Sequence, residues 1–218
     1  LTYGINREQI VADNFNGYAQ AVTLPADPSS PYYSKSLAAR YAYDPVKFLE
    51  FLGRFGKTEE PIRLLVNSDD SARVRIARNI AEELTSLGLP TKTLEAKGSH
   101  FKNVLVAGTY DIYLGMTRLS ANMDLTEFFR PYGEMSRGGL QHETIYSMCL
   151  NALENNGNYY NLYQKLVQDG RVIPVMFGHY NVYAERGLMP ELEPSRDNVF
   201  YYSLGKTMDG TRIEEEYE

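Results

Sequence analysis

The alternation of apolar and polar positions along the middle of the chain predicts strands and helices in turn. Apolar runs with β-branched ends are typical of buried strands, and apolar positions that repeat every three or four residues are typical of helices. The predicted elements are a strand at residues 61–66, a helix at 72–87, a strand at 91–95, a helix at 100–107 and a strand at 110–116. This order indicates a parallel sheet with right-handed crossovers, so the sequence predicts an α/β fold.

The helix at residues 72–87 has the clearest pattern, because its apolar side chains share one face and Gly88 provides a stop signal. Residues 67–71 precede it with Asn, Ser and Asp, which favour turns and helix N-caps. Ligands of parallel sheets bind beyond the carboxyl ends of the strands. Residues 67–70 and 117–124, which follow two of the predicted strands, are therefore the first places to look for a site.

Further elements are predicted on both sides of this unit. Asn6 with Gln9 three positions later has the arrangement of a capping box, and Asp44 before Pro45 marks another helix start. Residues 18–33 form a long proline-containing connection, of the kind that is either functional or packed across a neighbour. The remaining predicted helices are at residues 6–15, 46–55, 125–129, 143–154 and 159–167.

Two expectations about packing follow from the same patterns. Leu49 is expected on the apolar side of the helix at residues 46–55, together with Phe48 and Leu52. A strand at residues 172–177 is expected to join the central sheet. Pro174 lies within this strand, and because proline donates no backbone hydrogen bond, the strand should lie at an edge or contain a bulge.

Composition limits the classes of function. The chain has 218 residues, enough for one large domain or two small ones with a real core. Its formal net charge of −6 argues against a nucleic-acid surface. No apolar run approaches the length of about 20 residues that a membrane helix needs. The chain begins at Leu1 in helix-like sequence, so we expect a fragment or a processed product.

No catalytic or metal-binding constellation stands out in the sequence. The three histidines lack metal-ligand spacing, and the chain contains no Walker loop and no nucleophile elbow. The single cysteine, Cys149, is expected to be a small buried side chain, and one cysteine excludes an internal disulfide. Asp69 and Asp70 resemble the carboxylates of some phosphate-transfer enzymes, although helix capping explains both without chemistry.

Several stretches, taken in order, resemble one known family. They are residues 1–11, the helix start at 43–45, the strand end at 64–67 with the helix at 77–88, residues 108–111 before a strand, and residues 172–175. Their order and spacing resemble the second lobe of the family 5 extracellular solute-binding proteins, which include the oligopeptide, dipeptide and nickel binders of ABC importers. The resemblance covers residues 1–202, and the family's members are longer, with a first lobe on the N-terminal side.

This resemblance implies one lobe of a type II periplasmic-binding-protein-like fold, α/β in class, with a mixed, mainly parallel sheet flanked by helices. Residues 1–192 would form this C-terminal ligand-binding lobe, and residues 193–218 would form a tail running back toward a missing N-terminal lobe. The implied function is binding of a peptide outside the cell, on a surface lipoprotein or in the periplasm, for delivery to the membrane permease of an ABC importer.

The same resemblance implies no enzymatic activity, no cofactor and no nucleic-acid partner. Two alternatives remain at this point. One is a carrier of nickel, haem or another small solute from the same family, and the other is an α/β hydrolase that uses Asp69 or Asp70.

The family's peptide binders carry an acidic residue in the loop after the third predicted strand, and it holds the amino terminus of the peptide. Residues 118–125 depart from the usual pattern, since tryptophan is absent and Ala121 stands near the acidic position. Asp124 is then either a substitute or the cap of the next helix, and Arg118 is either an anion ligand or a surface residue. The candidate ligand-binding residues are Tyr113, Arg118, Asn122, Asp124 and Tyr180.

Overall fold

The chain forms a small parallel sheet with its crossover helices, and a set of helices that pack against one another. The computed structural model describes residues 1–55, 60–137, 139–155 and 158–178, and the backbone of five short strands beyond residue 178. The helices are α1 (Arg7–Phe15), α2 (Lys35–Arg40), α3 (Pro45–Phe55), α4 (Ser71–Ser86), α5 (Gly98–Ala107), α6 (Thr126–Phe129), α7 (Glu143–Asn155) and α8 (Tyr159–Asp169).

The strands are β1 (Ala19–Ala21), β2 (Ile62–Asn67), β3 (Thr91–Ala96), β4 (Ile112–Leu114), β5 (Met176–Gly178), β6 (Leu188–Pro190), β7 (Glu193–Pro194), β8 (Val199–Phe200), β9 (Leu204–Met208) and β10 (Thr211–Arg212). Beyond β5 the strands pair in an antiparallel manner, β6 with β9, β9 with β10, and β7 with β8. The expected course of residues 193–218 toward another lobe stays a prediction.

The central sheet has three parallel strands in the order β3–β2–β4. Leu64, Leu65 and Val66 of β2 are fully buried, as a middle strand covered on both faces should be. The chain crosses from β2 to β3 in one direction and from β3 to β4 in the other. Right-handed crossovers therefore put α4 and α5 on opposite faces of the sheet. The predicted α/β fold, a parallel sheet flanked by helices, is confirmed.

One hydrophobic core lies between the sheet and α4. Its buried residues are Ile5, Ile10, Phe48, Leu64, Val66, Val74, Ile76, Ala77, Ile80, Leu84 and Leu89. Gly88 follows α4 with a φ of 86°, a left-handed conformation that glycine adopts without strain. The predicted helix and its stop signal are both confirmed. Leu49 was expected on the apolar side of α3 together with Phe48 and Leu52, but it is 49% exposed, so that expectation is wrong for Leu49. Phe48 is buried in this core and Leu52 packs against it, as expected.

A second hydrophobic core is built from helices α2, α6, α7 and α8. Its buried residues are Leu24, Ala26, Leu37, Ala38, Leu125, Phe129, Ile145, Cys149, Ala152, Tyr159, Leu162, Tyr163, Leu166 and Val167. Leu24 and Ala26 belong to the proline-containing connection, which therefore packs across neighbouring helices. This is one of the two roles predicted for the connection. Cys149 is buried as expected, and this burial raises the pKa of its thiol to about 12.

None of the described helices has the length and apolar character needed to cross a membrane.

The strand expected at residues 172–177 does not join the central sheet. Only Met176–Gly178 is a strand, and it pairs with β1 in an antiparallel two-stranded sheet. Pro174 has no N–H and so cannot donate a backbone hydrogen bond to a neighbouring strand. Its carbonyl accepts a hydrogen bond of 2.7 Å from Nε of Arg7. This arginine is buried, and nothing in the local pattern of residues 172–177 indicates it. The prediction was wrong because the partner of this segment is distant in sequence.

The capping box predicted at α1 is half present. Asn6 accepts a hydrogen bond of 3.1 Å from the backbone N–H of Gln9, as the motif requires. The side chain of Gln9 binds Asp13 instead of returning to the backbone of Asn6. Glu83 of α4 takes that role, since its carboxylate accepts a hydrogen bond of 2.8 Å from the backbone N–H of Asn6. A cap predicted within one helix is thus completed by another helix.

Asp70, the N-cap of α4, is expected to make stability depend on acid pH. Its pKa is lowered from 3.8, first by the backbone N–H of Arg73 and then, against the opposing effect of burial, by the side chain of Arg73. A carboxylate whose pKa is lower in the folded state stabilises the fold above the unfolded pKa. That contribution is lost as the pH falls through the folded value. Asp70→Asn, which keeps a capping side chain, should be less stable than the wild type at neutral pH.

The measurement is urea unfolding as a function of pH. The stability difference between Asp70→Asn and the wild type should shrink once the pH falls below 3.8, the ordinary pKa of an aspartate. A difference that is the same at every pH would show that the charge of Asp70 does not contribute.

Candidate functional site

The carboxyl edge of the parallel sheet gathers the loops that follow β2, β3 and β4. The first two loops are tied together, because Asp69 accepts a hydrogen bond of 3.0 Å from the backbone N–H of Gly98. The backbone N–H of Ser68 also donates to the carbonyl of Ala96 at 2.8 Å, which extends the ladder beyond the strands. This edge is therefore held in one arrangement by contacts between loops.

The two carboxylates of the enzyme alternative have structural contacts at this edge. Asp70 accepts hydrogen bonds from the backbone N–H and the guanidinium of Arg73, both at 3.0 Å. Asp69 joins the two loops through Gly98. Helix capping, as expected from the sequence, accounts for Asp70. Asp69 was also expected to cap a helix, but it joins two loops instead.

The loop at residues 117–124 follows β4 and makes a tight turn. The backbone N–H of Met123 donates to the carbonyl of Ser120 at 2.8 Å, and Met123 has a φ of 54° in the left-handed region. The hydroxyl of Ser120 donates to Oδ1 of Asn122 at 2.6 Å. Asp124 accepts a hydrogen bond of 2.8 Å from the backbone N–H of Thr126, the first residue of α6. One carboxylate oxygen of Asp124 thus satisfies the first backbone N–H of the next helix from the position before its N-cap, Leu125.

Tyr159, the first residue of α8, holds this loop against the second core. Its hydroxyl donates a hydrogen bond of 2.6 Å to the backbone carbonyl of Asn122. The ring is buried and stacks on Tyr32 with 4.2 Å between the ring centres. Burial raises the pKa of Tyr159, so its hydroxyl stays a proton donor at neutral pH. This contact could not be predicted from the sequence, because it joins residues 37 positions apart and no local motif accompanies it.

Tyr113 of β4 is half-buried on the sheet face covered by α5. Its ring packs against Phe101 and Tyr110, with centre distances of 6.1 and 6.3 Å. It also covers Gly115, where an added Cβ would come within 2.8 Å of the ring. Glycine at this position therefore allows the ring to reach along the strand toward the carboxyl edge.

The structure brings four of the five predicted site residues to one region. Arg118 and Asn122 are exposed in the loop after β4, Asp124 is half-buried at its end, and Tyr113 lies in the strand before it. Tyr180 lies outside the described residues. That these side chains contact a solute stays a prediction. Across residues 1–55, 60–137, 139–155 and 158–178 no group of three histidine, cysteine or acidic residues is placed to hold a metal ion.

Removing the hydroxyl of Tyr159 is expected to loosen the loop. Tyr159→Phe loses one buried hydrogen bond, so the free energy of unfolding should fall by about 1 kcal/mol. Hydrogen exchange at the backbone N–H groups of residues 122–124 should become faster, because the loop opens locally. Tyr160→Phe, on the same helix but exposed, is the matched control. Equal exchange in both variants would show that the Tyr159 hydroxyl does not hold the loop.

Comparison with known proteins identifies relatives of this chain. The model of the family "Bacterial extracellular solute-binding proteins, family 5 Middle" matches residues 1–139, more than half of the chain. None of the proteins with curated descriptions matches the sequence. The oligopeptide-binding protein AppA of Bacillus subtilis, solved with a nonapeptide, has a similar structure, with a TM-score of 0.67 at 18% identity over 81% of this chain and 40% of that one.

Two further solved structures are similar. A periplasmic oligopeptide-binding protein of Thermotoga maritima, bound to mannohexaose, has a TM-score of 0.67 at 19% identity over 82% of this chain and 40% of its own. NikZ of Campylobacter jejuni, bound to a nickel–histidine complex, has a TM-score of 0.62 at 15% identity over 81% and 40%. At these identities the structures show a shared fold, and this chain spans 40% of each. By the family match, the chain belongs to the family 5 bacterial extracellular solute-binding proteins.

Proposed function

We propose that this chain is the ligand-binding lobe of an extracytoplasmic receptor that binds peptides and delivers them to the permease of an ABC importer. The family match over residues 1–139 carries the proposal, since it spans the parallel sheet and the loop beyond β4. The receptor acts outside the cytoplasm, in the periplasm or as a surface lipoprotein. It binds and releases its solute without chemical change.

The geometry of the loop supports a role in binding. A receptor site needs polar groups in fixed positions, so that little ordering is required when the solute binds. The turn at Ser120–Met123 and the bond from Tyr159 to Asn122 fix the backbone of residues 120–124 in this way. Arg118 and Asn122 stay exposed on this fixed loop. An extended peptide could use such polar groups through its own backbone, with few demands on its side chains.

The known relatives hold solutes of different chemistry. Their structures contain a nonapeptide, an oligosaccharide and a nickel–histidine complex on the same fold. The solute must therefore be chosen by local side chains and not by the fold. We propose peptides as the solute class of this chain, with Asp124 as the acidic group that binds the amino terminus.

A thermal-shift screen of the complete gene product tests the proposal. A ligand that binds only the folded state at a hundred times its dissociation constant adds about 2.7 kcal/mol of stability. The panel contains peptides of graded length, neutral oligosaccharides and nickel with free histidine. Peptides should raise the melting temperature. A shift with oligosaccharide or nickel–histidine alone would contradict the peptide assignment, and no shift with any solute would contradict the receptor function.

A pair of variants separates the receptor from the enzyme alternative. Asp124→Asn retains an oxygen that can accept from the N–H of Thr126, but it removes the charge. It should therefore weaken the binding of peptides with a free amino terminus more than the binding of acetylated peptides. Asp69→Asn, which keeps an oxygen that can accept from the N–H of Gly98, should leave peptide affinity unchanged. Phosphatase or esterase turnover that is lost in Asp69→Asn would instead assign the chain to the enzymes.

A further inference from the structure

Tyr132 is the most exposed large apolar side chain among the described residues, with 97% of its surface accessible. Its backbone has a φ of 57°, in the left-handed region that a bulky residue rarely adopts. Such a conformation persists only where the surrounding structure imposes it, and residues of this kind cluster at active sites and ligand clamps. An aromatic ring presented in this way calls for an explanation.

The turn that carries Tyr132 is held by Glu127 of α6. The carboxylate of Glu127 accepts a hydrogen bond of 3.1 Å from the backbone N–H of Glu134 and forms an ion pair of 2.9 Å with Arg130. Its backbone carbonyl accepts from the N–H of Met135 at 3.3 Å. Contacts on both sides of Tyr132 thus fix the backbone and leave the ring outside.

Gly133 completes this turn and packs against α6. It is buried, and a Cβ at this position would lie 2.2 Å from the backbone carbonyl oxygen of Glu127. The backbone after Tyr132 therefore passes directly against α6, and only glycine fits at position 133.

The turn also lies near the candidate site. Only α6, with four residues, separates it from the loop at residues 117–124, and a helix of that length spans about 6 Å. At the other end of the turn, the positive charge of Arg137 acts on Tyr110 and opposes the rise that burial causes in the pKa of Tyr110. Tyr110 contacts Tyr113 of β4, one of the predicted site residues.

We propose that Tyr132 is a specificity-determining contact of the binding site, where its ring packs on an aromatic or apolar side chain of the bound peptide. The inference rests on the proposed receptor function and adds a preference among peptides to it. A tyrosine ring offers a large flat surface with few rotatable bonds, so little freedom is lost when a solute covers it. A ring held outside by its backbone is already in position for that contact.

The first test compares two peptides on the complete gene product. The peptides have equal length, and one carries phenylalanine where the other carries only alanine. Tyr132→Ala should weaken binding of the phenylalanine peptide by about tenfold, as expected for loss of one aromatic pair. The alanine peptide should bind both proteins equally, and Tyr132→Phe should restore the preference. Tyr18→Ala, which removes another exposed ring, is the matched control.

Three results overturn the inference, and the first is that Tyr132→Ala binds both peptides as tightly as the wild type. Equal loss for both peptides would mean that Tyr132 does not distinguish side chains. A lower melting temperature of Tyr132→Ala without solute would mean that the ring packs against another part of the complete protein and has a structural role. A wild-type protein that binds no peptide would overturn the proposed receptor function itself. If peptides bind but Tyr132 has no effect, the receptor function stands and only the inference about Tyr132 is overturned.

The second test uses fluorescence, because this chain contains no tryptophan. Tyr132→Trp places a reporter at the exposed position, and its emission is read as the difference from the wild-type spectrum. The phenylalanine peptide should shift this emission to shorter wavelength, since the ring leaves water when the solute covers it. An unchanged emission at a peptide concentration that calorimetry shows to be saturating would overturn the inference.

Discussion

Arg7→Met is expected to lower the free energy of unfolding by about 4 kcal/mol, since a buried acceptor left without a partner costs roughly 1–3 kcal/mol. The guanidinium of Arg7 is buried and donates to the carbonyl of Pro174 at 2.7 Å. It also donates to the carbonyl and the hydroxyl of Thr2, both at 2.9 Å. Methionine fills similar space but donates nothing, so these oxygens lose their partners.

Urea unfolding of the purified chain measures this effect. Arg75→Met, an exposed arginine of α4, is the control and should change stability by less than about 0.5 kcal/mol. Arg7→Lys should fall between the two, because an ammonium carries a charge but cannot span the same acceptors. Burial lowers the pKa of Arg7 to about 10, so the side chain remains charged at neutral pH. Equal losses for Arg7→Met and Arg75→Met would contradict this account of Arg7.

The second large effect concerns affinity. The isolated chain is expected to bind peptides about a hundredfold more weakly than the complete gene product. In the proposed receptor, the solute is enclosed between two lobes that close on it. This chain spans 40% of the length of a solved relative, so it would supply only part of that enclosure. On one lobe alone, hydrogen bonds to the solute compete with water. Losing three contacts of about 1 kcal/mol each accounts for that factor.

Calorimetry with one peptide and both proteins decides this point. The unfolding curve of the isolated chain serves as a control, because a weak affinity is informative only if the chain is folded. Its two hydrophobic cores support folding without further sequence. Equal affinities would show that the complete site lies within this chain and that enclosure by a second lobe does not contribute.

Local sequence patterns predicted most of this fold. The helix α4 was predicted because its apolar face, its cap Asp70 and its stop at Gly88 all lie within one short stretch. The errors lie where a partner is distant in sequence. The strand β5 pairs with β1 and accepts a hydrogen bond from Arg7, and no pattern in the residues around Pro174 indicates either neighbour. The short helix α2 and the strand β1 were missed, because neither has enough residues to show a period.

The place of the candidate site could be predicted, but its construction could not. The strand order alone indicated the loop beyond β4, since carboxyl ends of parallel strands meet at one edge. The anchor at Tyr159 and the presentation of Tyr132 both depend on contacts between separate elements. Tyr132 carried one local signal, the glycine that follows it, but the exposure of its ring depends on Glu127 and on the course of the backbone.

The hydrogen bond from Tyr159 ends on a backbone carbonyl and not on the side chain of Asn122. Any amino acid at position 122 carries the same carbonyl, so substitutions there keep the anchor. Natural variation can therefore change the chemical character of this loop while its path stays the same. On the proposed function, a lineage with this anchor can acquire a new solute by replacing exposed loop residues, with no need to evolve a new scaffold at the same time.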